Sequence, residues 1–85
     1  MTQTVIDYAK EMKKLSVTLE DANRTAEILE ALPQIVVDFD NPLLPLEKKH
    51  HEIDMIFPPQ IRDFLKLLCD HHDFNLFGEI FEAFR

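Results

Sequence analysis

Asn41-Pro42-Leu43-Leu44-Pro45-Leu46-Glu47-Lys48-Lys49 decides how this chain folds, because it stops one helix and starts another. The ring of Pro42 disfavours the α region for Asn41, so a preceding helix must end there. Pro45 lacks the N–H that a first-turn residue leaves unpaired anyway, so a new helix can begin with it at N1. The Leu43-Leu44 pair between the prolines predicts a turn packed into the fold. No residue of the stretch carries catalytic chemistry.

Working outward, the rest of the chain also reads as helices. Val5, Tyr8, Ala9, Met12 and Leu15 follow the 3, 4 spacing of one helical face. Thr18 is the expected N-cap of a second helix, with Asp21 three residues on as a weak relative of the capping box. Leu19, Ala22, Ala26 and Leu29 give that helix its stripe, and Leu32 its end. Pro33 punctuates. Ile35-Val36-Val37 is β-branched and alone suits a strand, but no partner strand exists elsewhere, so a short helix through Phe39 is expected. Leu46, Ile53 and Ile56 or Phe57 mark a fourth helix, and Ile61, Phe64, Leu65 and Leu68 a fifth beyond Pro58-Pro59. Asp73 is the expected cap of a sixth, which carries Phe77, Ile80, Phe81 and Phe84. Short connections favour antiparallel neighbours, so the expected fold is all-α, a compact six-helix bundle forming a single domain over residues 1–85.

Composition narrows the function. The 85 residues include one glycine, which argues against a glycine-rich phosphate loop, and one cysteine, Cys69, which excludes an internal disulfide. A formal charge of -7 opposes nucleic acid, whose phosphates demand a cationic face, and equally an anionic membrane surface. No apolar run approaches the ~20 residues that cross a bilayer, so no direct membrane insertion is expected. A protein partner with an apolar or basic surface suits this chain best.

Several residues invite a chemical reading and fail it. His50-His51 and His71-His72 are adjacent pairs, and neighbours on a helix point about 100° apart, away from a common ion. The zinc-protease spacing requires a second histidine where Met55 follows His51. These pairs are therefore read as polar helix faces, with no metal and no cofactor. Cys69 falls at the C-terminal end of its helix, where nothing lowers a thiol pKa. Asp38 and Asp40 flank Phe39 and are expected to face solvent. No catalytic residue is expected.

Taken in order, Tyr8-Ala9-Lys10, the stripe to Leu29 and Leu32, Asn41-Pro-x-x-Pro-x-x-Lys48, Phe64-Leu65-Lys66-Leu67-Leu68 and residues 80–85 resemble the delta subunit of the rotary ATP synthase, the oligomycin-sensitivity-conferring protein of mitochondria. The resemblance runs over nearly the whole chain and implies a non-catalytic stator component. That family's N-terminal domain is a six-helix bundle that binds N-terminal helices of the alpha subunits, linking the catalytic head to the peripheral stalk. Carried over, the alpha-subunit groove lies between the first and fifth helices, with Tyr8, Phe64 and Leu67 near it. The resemblance further implies contact with the peripheral-stalk b subunit through a C-terminal part absent from this sequence. It also implies a monomer in isolation and a cytoplasmic place on the inner face of the cell membrane. Glu11, Lys13 and Lys14 replace the alanine, leucine and phenylalanine usual in the family after Ala9, and the stretch between Lys49 and Pro59 is shorter than usual. The alternative from another class is a free-standing helical adaptor, which would self-associate through its phenylalanine-rich face.

Overall fold

In the computed structural model, which describes residues 1–85, the apolar stripes form six α-helices and no strand. They are α1 (Gln3–Lys14), α2 (Leu19–Ala31), α3 (Gln34–Asp40), α4 (Leu46–Ile56), α5 (Arg62–Asp70) and α6 (Phe77–Phe84), with single 3₁₀ turns at Pro59–Ile61 and Phe74–Leu76. The expected all-α bundle is the observed one. Ile35, Val36 and Val37 are helical in α3, since no second strand is present to pair with them.

Local chemistry sets most boundaries. Thr2 and Thr18 cap α1 and α2, their hydroxyls accepting from the N–H of Val5 (3.2 Å) and Asp21 (3.1 Å). Helix α3 stops at Asp40 as Asn41 turns extended. Pro45 proves to be the N-cap of α4, one position before the expected N1. Helices α1 and α5 both end in a left-handed residue without glycine, Ser16 at φ 60° and His72 at φ 57°. In each case a following N–H reaches back to a carbonyl of the last turn, Val17 to Met12 (3.1 Å) and Asp73 to Leu68 (2.9 Å).

One contiguous core joins Val5, Tyr8, Ala9 and Met12 of α1 to Phe39, Ile53, Phe57 and Ile61, to the α5 face and to Phe74, Phe77, Ile80 and Phe81. Helix α1 lies along α6, α4 along α5, and α3 over the Phe74 turn. A hydrogen bond between His50 and Asp70 (2.6 Å) and an ion pair between Lys66 and Asp54 (2.8 Å) clip α4 to α5 along its rim. In the second, the hydrogen bond from Lys66 holds the Asp54 carboxyl below its usual range.

Four expectations fail at the surface. Leu19, Leu32 and Leu46 are half-exposed, and Leu43 is 87% exposed, so the proline turn is not packed through its leucines. The turn is instead closed by its own polar groups. Leu44 N–H bonds to the Asn41 carbonyl (3.3 Å), and Leu43 N–H to the Asn41 side chain (2.9 Å). Lys49, only 2% exposed, supplies the buried anchor, its stem sunk in the fold and its Nζ donating to the Asn41 carbonyl.

Candidate functional site

The α1–α5 face is built from a buried ring outward. Phe64 of α5 is wholly buried and meets the Tyr8 ring edge-to-face, with centroids 6.2 Å apart at 85°. The Tyr8 hydroxyl then points past α5 and donates to Asp73 Oδ2 at 2.6 Å, with His71 Nδ1 3.1 Å away. The left-handed turn at His72 is what swings Asp73 back beneath Tyr8. Burial first, and the Asp73 hydrogen bond second, hold the Tyr8 phenol protonated far above its ordinary range.

Helix α1 lies closest to α6, and it meets α5 through side chains such as the Tyr8 ring on Phe64. The gap is an open depression of about 430 Å³ lined by Thr4, Asp7, Tyr8 and Glu11 from α1, and by Leu67 and His71 from α5 and its cap. Of the three residues expected near the groove, Tyr8 and Leu67 line this depression. Phe64 lies under its floor and supports Tyr8 without reaching the surface. Leu67 is half-buried and also packs on the core, so it is less independent of the fold than its off-stripe position predicted.

Sequence reasoning missed Thr4, Asp7, His71 and Asp73 here. The spacing of Thr4, Asp7, Tyr8 and Glu11 was a usable signal for one α1 face. Nothing local joins His71 and Asp73 to Tyr8, more than 60 residues earlier. A larger depression, about 670 Å³, lies at the start of α2, but Leu19 is its one hydrophobic lining residue.

Other chemistry is poorly served. No group of three or more His, Cys, Asp or Glu side chains is placed to hold a metal ion. Cys69 is buried with its Sγ 3.5 Å from the Phe39 carbonyl, and burial pushes its thiol pKa up. Labelling of Cys69 by an aromatic disulfide reagent should therefore track global unfolding. We expect it to run ~10³-fold or more slower in the native protein than in denaturant. Prompt stoichiometric labelling of the native protein would contradict the packing.

A protein-family model described as ATP synthase delta (OSCP) subunit matches residues 2–85. No curated protein and no solved structure matches the chain.

Proposed function

The chain belongs to the ATP synthase delta (OSCP) subunit family, and from that premise we propose that it binds N-terminal helices of the alpha subunits in the depression between α1 and α5. The family is a stator subunit, a structural and peripheral part of a membrane-bound complex. In keeping with a peripheral place, no helix here is long and apolar enough to cross a membrane. The observation that carries the proposal is the family match over almost the entire chain. The depression is compatible with it: an amphipathic helix laid in a groove is a recurrent mode of recognition, and Tyr8 and Leu67 offer apolar contact among the polar Thr4, Asp7, Glu11 and His71.

In this reading the domain is non-catalytic and works by holding. Tyr8 and Leu67 meet the apolar face of the incoming helix, while Phe64 keeps the Tyr8 ring upright. The Tyr8–Asp73 hydrogen bond ties α1 to the α5–α6 connection, so the groove keeps its width when empty. A preorganised groove loses less entropy on binding than a mobile one. Residues 1–85 act as one domain at the cytoplasmic side of the membrane.

The test is a titration with an alpha-subunit N-terminal peptide of roughly 20 residues, followed by amide chemical shifts. Shifts should concentrate on α1 and α5. Leu67→Asp should weaken binding by ~100-fold or more, because it sets an unpaired carboxylate against the apolar face of the incoming helix. It should cost the fold only ~1–2 kcal/mol, Leu67 being half-buried. Leu67→Ala, milder for the fold, should weaken binding ~10-fold. A peptide that perturbs neither helix, or a Leu67→Ala protein that is folded and binds normally, would overturn the assignment.

A further inference from the structure

Up to Lys13, charge on α1 is sorted by flank. Toward α5, Asp7 and Glu11 line the depression with Thr4 and Tyr8, and Leu67 faces them. Toward α6, Lys10 and Lys13 line a separate cleft with Met1, Ile6, Ala9 and Ala83. Lys10 and Lys13 therefore sit on the flank away from the groove, while Lys14, one turn beyond Glu11 on the acidic face, lines neither depression. Asp7 accepts a hydrogen bond from the neutral amide of Gln3 at 2.8 Å, and neither Asp7 nor Glu11 belongs to an ion pair. Across the groove, His71 turns its Nδ1 toward the Tyr8 hydroxyl.

We infer that this depression selects an amphipathic helix whose apolar face is edged by two lysine or arginine side chains one turn apart, which pair with Asp7 and Glu11. The inference rests on the groove reading above and adds the chemistry that decides which helix fits. Asp7 and Glu11 are four residues apart, so their side chains stand about 5–6 Å from one another along α1. Basic residues at the same i, i+4 spacing on a helix lying alongside meet both acids in register. Tyr8 and Leu67 supply the apolar contact, and the acidic wall supplies orientation and discrimination. A second copy of this chain is the wrong occupant, because its own α1–α5 face would bring another acidic wall into the groove. The overall charge of -7 further favours a basic partner at long range.

The probes are two synthetic helical peptides with the same leucine face, one edged by two lysines at i, i+4 and the other by two glutamines there. Native protein should bind the lysine peptide about tenfold more tightly at low ionic strength. The preference should vanish in the Asp7→Asn/Glu11→Gln protein, which keeps side-chain shape and removes charge. In Asp7→Lys/Glu11→Lys it should reverse toward a peptide edged by two glutamates. Equal affinities for the lysine and glutamine peptides, with both perturbing α1 and α5, would overturn the charge inference and leave the groove reading standing. A preference that survives Asp7→Asn/Glu11→Gln would also overturn it. If neither peptide perturbs α1 or α5, both readings fall.

Discussion

Phe74→Ala should destabilise the protein by ~3–5 kcal/mol, much of what a domain of this size has to lose. Phe74 is fully buried in the 3₁₀ turn that leads into α6. Its ring stands edge-on to Phe39 of α3, with centroids 5.0 Å apart, and tilts against Phe57 at the end of α4, 6.5 Å away. One side chain thus joins three elements distant in sequence, and truncation leaves a cavity that rigid helices cannot close. Urea unfolding followed by circular dichroism should show a midpoint far below the parent, with part of the population unfolded in buffer. Leu43→Ala is the control, since Leu43 is almost wholly exposed, and it should shift stability by less than ~0.5 kcal/mol. A Phe74→Ala loss below ~1.5 kcal/mol would mean that the α3–α6 junction is looser than described.

The second large effect is expected at Asp40, where no sequence signal marked a role. Its Oδ1 accepts from the N–H of Phe74 at 2.8 Å and its Oδ2 from the N–H of Asn75 at 3.0 Å. Those are first-turn donors of the segment entering α6, and they lack other partners by the logic of a helix start. Asp40→Ala removes two charge-assisted bonds at once and leaves both N–H groups to water or to nothing, a loss of ~2–3 kcal/mol. Asp40→Asn keeps one acceptor oxygen and should cost about half as much. Hydrogen exchange at Phe74 and Asn75 separates this account from a general loss of stability. Their amides should lose protection in Asp40→Ala more than core amides of α5 do. Uniform loss across the molecule would argue against a specific cap.

The two aspartates show where local reading stops. Asp73 has the position and type of an N-cap, but it makes no capping hydrogen bond. The cap arrives from Asp40, more than 30 residues earlier, because α3 is packed over the Phe74 turn. Asp73 is thereby left to bind the Tyr8 hydroxyl. Short-range capping rules describe which residue could serve, and tertiary packing chooses which one does.

The depression between α1 and α5 was only partly legible for the same reason. Tyr8 and Leu67 came from a resemblance to a family of known architecture, and their meeting at one depression depends on how α1 and α5 are placed. Phe64 carried the same sequence signal as a groove residue and as a core residue. Its complete burial was decided by the ring of Tyr8 lying over it.

By itself the sequence determined the helices and most of their ends. Proline geometry broke the chain at Asn41 and Pro58, hydroxyl caps opened α1 and α2, and the 3, 4 stripes named most of the core. These effects act within a turn or two of chain, where spacing in sequence is spacing in space. Tertiary structure alone decided that Leu43 stays in water while Lys49 is buried, that Asp40 caps the Phe74–Leu76 turn, and that Tyr8 reaches Asp73. Each depends on which groups arrive beside a residue from elsewhere in the chain, and a buried polar group finds its partner wherever packing brings one.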